Sequence, residues 1–329
     1  MTDFALVNPE DFAAALRRTP ADSPPVIIET HFSSFDHPLV GDLPVAKHIP
    51  GAIQLHPSYL EAGTDKSRYY PNYQCPADGN VLPPDQLIEA LQALGVTQDR
   101  EVWIYGTEPD GIMAAARLIW GLMYAGIKTI RLLDGGLASW LAFGGPTVPS
   151  IPDAIEVAES RQSDSNRFPS WQVRPEYLAT ASEVGAIANS NSALNARLVD
   201  VRRSDEYQGT ETRYYPFFSK AGHIPGAILQ GNWINLVDEE SRKVGPRLES
   251  VRRRWCDLGI VDDQVEKGET SLIFYCGTGW RSSLSFVVAN LLGYHAKNFD
   301  DGFYGWSWDD DNEVAFGTSR SSAPITVVK

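Results

Sequence analysis

The hexapeptide His48-Ile49-Pro50-Gly51-Ala52-Ile53 returns intact as His223-Ile224-Pro225-Gly226-Ala227-Ile228, and no other feature constrains the fold as much. Three further matches follow the same order. Val26-Ile27-Ile28-Glu29 answers to Arg197-Leu198-Val199-Asp200, and Val102-Trp103-Ile104-Tyr105 to Leu272-Ile273-Phe274-Tyr275. Leu133-Asp134-Gly135-Gly136-Leu137-Ala138-Ser139-Trp140 answers to Phe299-Asp300-Asp301-Gly302-Phe303-Tyr304-Gly305-Trp306. The offsets are 175, 171, 170 and 166, a slow drift of the kind that small loop changes produce. A repeat of this length means one folding unit built twice. The 329 residues, about two domains' worth at ~150 residues each, agree.

Within each copy, short apolar runs alternate with helical patterns, the signature of βαβ units around a mainly parallel sheet. Pro83-Pro84-Asp85 opens a helix with Leu87, Leu91 and Leu94 on one face, and Gly95 closes it. Val102 to Tyr105 reads as a strand and Gly111 to Tyr124 as a helix. In the second copy Arg247 to Leu258 reads as a helix, Ser271 to Tyr275 as a strand, and Arg281 to Leu292 as a helix. The fold class is therefore α/β, two tandem domains, each a mainly parallel sheet flanked by helices. The boundaries fall at residues 1–148 and 170–329. Residues 149–169, rich in Pro, Ser and Asp without steady periodicity, read as a linker.

The net charge of -14 argues against a nucleic-acid or anionic-membrane binder, which needs a basic surface. Its distribution is uneven. Residues 1–160 carry a net -11 and residues 161–329 a net -3, and 14 of the 20 arginines lie in the second half. An anion site is thus better placed in the second copy. The most apolar window, Ile112 to Leu133, is interrupted by Arg117, Lys128 and Arg131, so no membrane span is expected. The start, Met1-Thr2-Asp3-Phe4, lacks a basic n-region, and three cysteines without a CxxC spacing suggest neither a disulfide framework nor zinc. No metal and no cofactor is expected, and the cytoplasm is the expected compartment.

The strand ending at Tyr275 runs straight into Cys276-Gly277-Thr278-Gly279-Trp280-Arg281, and a helix pattern begins at once. In a parallel α/β sheet, ligands bind beyond the carboxyl ends of strands, where this cysteine falls. Two glycines allow the backbone to curl into an anion-holding nest, and the helix adds its positive N-terminal end. With Arg281, these effects should favour a reactive thiolate. The plainer alternative is a buried core thiol. The first copy reads Tyr105-Gly106-Thr107-Glu108-Pro109-Asp110 at the same place, with glycine for the cysteine and two acids in the loop. One competent and one degenerate copy suit an enzyme with a single active site.

These motifs together resemble the tandem-domain rhodanese family of sulfurtransferases, over nearly the whole chain. The resemblance is carried by Asp200-Val201-Arg202 with Glu206-Tyr207, by Gly222 to Ala227, by the Cys276 loop, and by Asp301-Gly302-Phe303-Tyr304-Gly305-Trp306. It implies an inactive N-terminal domain and an active C-terminal one. Its cysteine takes a sulfane sulfur from thiosulfate or 3-mercaptopyruvate as a persulfide and passes it to a thiol or cyanide acceptor. On this reading Cys276 is the nucleophile and Gly277, Thr278, Gly279 and Trp280 line the substrate. Arg281 and Arg202 are candidates to hold the donor's anionic end; for Arg202 the alternative is a salt bridge to Asp200 or Asp205.

The departures leave the donor open. Tandem members usually carry a second arginine where Glu206 stands here. Gly277 and Thr278 replace the Arg-Lys pair of the thiosulfate branch, and Asn80-Val81-Leu82-Pro83 lacks the histidine of the mercaptopyruvate branch. Two other functions remain as alternatives. A cysteine phosphatase shares the fold, but its loop is Cys-x5-Arg and the sixth position after Cys276 is Ser282. A non-catalytic binding module is the other. His48 and His223 recur in both copies and are read as structural. Cys75 and Cys256 are read as packing thiols, and Trp140, Trp306 and Trp308 as packing residues. Asp309-Asp310-Asp311 is read as a solvated turn. Oligomeric state is not readable from the sequence.

Overall fold

The computed structural model describes residues 2–18, 24–32, 47–65, 70–71, 73–107, 110–160, 171–189, 194–211, 217–317 and 326–328. Its contacts divide into two compact units. One comprises residues 1–72, 81–174 and 239–245, the other residues 73–80, 175–238 and 246–329.

The first unit is built on strands β1 (Asp3–Val7), β2 (Val26–Thr30), β3 (Ala52–Gln54), β4 (Val102–Gly106) and β5 (Thr129–Leu133). Their order across the sheet is β1-β5-β4-β2-β3, and every pairing is parallel. β2 and β4 are buried at all five positions, as strands of a parallel sheet covered on both faces are, and in β2 this takes in Glu29 and Thr30. Helices α1 (Pro9–Arg18), α2 (Pro84–Ala93), α3 (Gly111–Tyr124) and α4 (Gly136–Phe143) connect or flank them. α3 is buried along its whole length, so its near-total lack of polar residues reflects position in the core rather than a lipid environment. No helix among the described residues is long and apolar enough to cross a membrane.

Part of the expected linker is ordered onto this unit. Just before it Val148 bridges His48, and within it Asp153 bridges Gln54 and Ala154–Ser160 forms helix α5. Residues 161–169 of that segment lie outside the described residues.

The second unit repeats the plan with β6 (Ala196–Asp200), β7 (Ile228–Leu229), β8 (Ser271–Tyr275) and β9 (Ala296–Asn298), ordered β9-β8-β6-β7 and again parallel throughout. Where β1 edges the first sheet, a single parallel bridge from Leu178 to Asn298 edges the second. The helices are α6 (Ala181–Ala188), α7 (Ser204–Gln208), α8 (Leu248–Asp257), α9 (Asp263–Glu266), α10 (Trp280–Leu291) and α11 (Gly302–Trp308). A Thr180–Glu183 capping box starts α6. α8 buries Val251 and Trp255, one turn apart, and turns Arg253 and Arg254 to solvent. Part of the second copy's arginine excess is thus a solvated helix face.

The repeated His-Ile-Pro-Gly motif has the same structural role in both units. His48 and His223 form antiparallel bridges with Val148 and Ala315. The Ile49 and Ile224 amides donate to the hydroxyls of Tyr105 and Tyr275, at 3.1 and 3.2 Å, each on a central strand. His48 Nδ1 lies 2.9 Å from Glu29, while His223 Nδ1 meets the Tyr207 carbonyl at 2.8 Å and stacks on that ring. Both histidines hold turns.

Candidate active site

β6 and β8 end side by side, with Asp200 opposite Tyr275 in the register, so the segments leaving them meet beyond the same sheet edge. Cys276 follows β8 directly, and α10 starts at Trp280. Gly279 occupies the helix N-cap with φ 77°, a left-handed conformation that curls the loop; Gly277 is not in that region, so one of the two loop glycines makes the turn.

The loop is held from behind. The Phe303 amide donates to the Cys276 carbonyl at 2.8 Å and the Tyr304 amide to the Gly277 carbonyl at 2.9 Å. This approach requires Gly302, at φ 58°, because a Cβ there would lie 2.4 Å from the Gly277 oxygen. Asn298 and Ser283 both donate to the Gly279 carbonyl, at 3.1 and 2.8 Å. The terminal Asp-Gly-Phe-Tyr motif is therefore a brace for the cysteine loop.

Cys276 is 1% exposed, and the Ser282 hydroxyl, fully buried in the first turn of α10, donates to its sulfur at 3.6 Å. Thr278 is buried and Trp280 half-buried beside it. Ser282 is a residue that the sequence reading passed over. In the sequence it marks only the absence of a Cys-x5-Arg spacing, whereas a helix starting four residues after Cys276 returns the sixth position toward the sulfur.

Both candidate arginines are engaged. Arg202, 2% exposed, grips Asp200 through Nε and Nη2, at 3.1 and 2.7 Å, and donates to the Gly222 carbonyl at 2.7 Å. Its guanidinium lies 4.1 Å over the Phe303 ring. Of the two acids named as alternatives, Asp200 is the partner. Arg281 makes a two-pronged ion pair with Glu206, at 2.8 and 2.9 Å. Glu206 is itself fixed at the first turn of α7 by the Arg203 amide at 3.1 Å. Burial opposes ionisation of Glu206, but the charge and hydrogen bonds of Arg281, the charge of Arg202 and the Arg203 amide outweigh it and hold the carboxyl below its ordinary value.

Other expectations are corrected. Cys75 and Cys256 are exposed rather than packed, and Cys75 donates to Asp78 at 3.1 Å. Trp140 and Trp306 are buried, but Trp308 is 43% exposed. Asp309 to Asp311 form an exposed turn, as expected. Among the described residues no group of three or more metal-ligating side chains is assembled.

The rhodanese-like domain model matches residues 16–143 and 180–308, so the chain belongs to the rhodanese family, with two such domains in tandem. It is 28% identical over 278 residues to the thiosulfate sulfurtransferase YnjE of Escherichia coli, covering 82% of this chain and 56% of that protein's length. It is 28% identical to a thiosulfate sulfurtransferase of Azotobacter vinelandii, covering 95% of this chain and 99% of the relative. Among solved structures it resembles an anaerobic ergothioneine biosynthesis enzyme of Chlorobium limicola in complex with trimethyl histidine, with TM-score 0.72, 26% identity, and coverage of 95% and 70%.

Proposed function

We propose that this chain is a sulfurtransferase that carries a sulfane sulfur on Cys276, taking it from thiosulfate or 3-mercaptopyruvate and delivering it to a thiol or cyanide acceptor. The observation that carries this reading is the buried Cys276 sulfur at a strand end and helix start, with Ser282 donating to it. The thiolate attacks the outer sulfur of thiosulfate, the S–S bond breaks, and sulfite leaves with the bonding pair. The acceptor then attacks the terminal persulfide sulfur and restores the thiolate. Covalent catalysis divides one transfer into two easier steps. Burial shelters the persulfide between them, and Ser282 supplies a hydrogen bond to the sulfur anion.

In this reading Gly277, Thr278, Gly279 and Trp280 line the donor. Arg281 faces its anionic end with Glu206 attached, and Arg202 contributes only through its pair with Asp200. Residues 1–148 form the degenerate copy and 170–329 the catalytic one. The free thiols suit a reducing compartment, and we assign the chain to the cytoplasm. The partners are small molecules, with no role for nucleic acid or membrane.

Mass spectrometry after incubation with either donor tests the reading. One added sulfur is expected on Cys276, absent in Cys276→Ser. Sulfur on Cys75 or Cys256 instead would move the site, and phosphate-ester hydrolysis without a persulfide would favour the phosphatase alternative.

A further inference from the structure

Glu206 is a buried acid paired with the one arginine of the cysteine loop's helix start. The carboxylate does not point away. It is 4% exposed, held by the Arg203 amide, and satisfies both prongs of the Arg281 guanidinium. Arg281 is the second residue of α10, in the same turn as Ser282, which touches the Cys276 sulfur. Below this pair, Asp200 and Arg202 form a second one. These two pairs, at and beyond the ends of β6 and β8, therefore sum to zero charge, although each contains an arginine.

A guanidinium with both prongs occupied by a carboxylate presents little net field to an incoming anion. The deficit grows with the anion's charge, because the Coulomb energy scales with the product of charges. We propose that Glu206 is a specificity-determining residue that masks Arg281 and turns the Cys276 site toward donors bearing one negative charge rather than two. This rests on the persulfide reading above and adds the charge class of donor that the site favours.

The test compares thiosulfate with methanethiosulfonate, which keeps the outer sulfur and the S–S bond but has a methyl group in place of one charged oxygen. In both reactions the Cys276 thiolate attacks the outer sulfur and the S–S bond breaks; sulfite or methanesulfinate leaves with the electron pair. The readout is the ratio of second-order rate constants for persulfide formation, thiosulfate over methanethiosulfonate. In Glu206→Gln that ratio should rise about tenfold, the order expected for uncovering one charge near a dianion. A merely structural role for Glu206 would slow both donors together and leave the ratio where it was.

Because Glu206→Gln leaves Arg281 without its counter-charge, the double variant Glu206→Gln with Arg281→Gln supplies a second arm. It removes both charges and keeps amide hydrogen bonding, so its ratio should stay within about twofold of the parent. An unchanged ratio in the single variant, or a ratio falling tenfold in the double one, overturns the proposal while leaving the persulfide reading intact. Absence of any persulfide on the parent with either donor overturns the reading itself, and the proposal with it.

Discussion

Replacing Arg281 with alanine leaves the Glu206 carboxylate, 4% exposed, without the two hydrogen bonds of 2.8 and 2.9 Å that now compensate its burial. Breaking a buried pair by removing one partner costs about 3–5 kcal/mol, because the remaining charge is stranded. Arg281 is itself 13% exposed, so the lower end applies, near 3 kcal/mol. For a unit of this size that corresponds to a loss of roughly 10 °C in melting temperature.

The pH dependence has a definite sign. In the parent, Glu206 is held below its ordinary value, so its contribution is present above the unfolded-state value, about 4.3, and is lost as pH falls through the folded-state value. In the variant, burial acts on Glu206 without the Arg281 charge and drives the carboxyl upward, so stability is lost as pH rises through that raised value. The gap between parent and variant should therefore be wide at pH 7 and narrow near pH 4. Thermal melts followed by circular dichroism at the two pH values measure it. A gap of equal size at both, or a variant within about 2 °C of the parent at pH 7, would refute the ion-pair reasoning.

Arg202→Met should destabilise the second unit by about 3–5 kcal/mol, and adding Asp200→Asn should recover part of it, since the cost lies in a stranded buried acid; chemical denaturation of the single and double variants checks this, and equal losses in both would contradict it. Ser282→Ala should slow persulfide formation about tenfold with little change in melting temperature, the loss of one hydrogen bond to a charged sulfur; stopped-flow measurement with thiosulfate reads the first and a thermal scan the second.

What the sequence disclosed and what it withheld divide along physical lines. The duplication, the parallel strands and the Cys276 loop were legible because each rests on local pattern: apolar runs, turn glycines and a motif repeated at a near-constant offset. The partners of the arginines were not. Glu206 and Arg281 lie 75 residues apart, and only the register of β6 against β8 brings their helices together. The exposure of Cys75 and Cys256 was equally hidden. A cysteine's small side chain leaves little trace in a periodicity argument, and Cys256 lies on the solvent side of a helix whose buried face is set by Val251 and Trp255.

The two copies differ where the central strand ends. Gly106 stands where Cys276 stands in the second copy, but the difference is more than one missing sulfur. A Cβ built at Gly106 would lie 2.4 Å from the Gly111 carbonyl carbon, and one at Gly136 would lie 2.3 Å from the Gly106 oxygen. At both positions backbone meets backbone, which only glycine permits. The scaffold carboxylates diverge in step. Glu29 spends its charge on His48 and the Tyr105 hydroxyl, whereas Asp200, one methylene shorter, captures Arg202. Around Gly106 the described cation is Arg242, which lies 3.6 Å from Asp110. The approach of Gly136 to the Gly106 carbonyl matches that of Gly302 to the Gly277 carbonyl, so both copies brace the loop after their central strand in the same way, and the second adds the Asn298 and Ser283 hydrogen bonds to the Gly279 carbonyl. The residue that follows the core of the central strand, glycine in one copy and cysteine in the other, thus differs on a backbone scaffold that the two copies share.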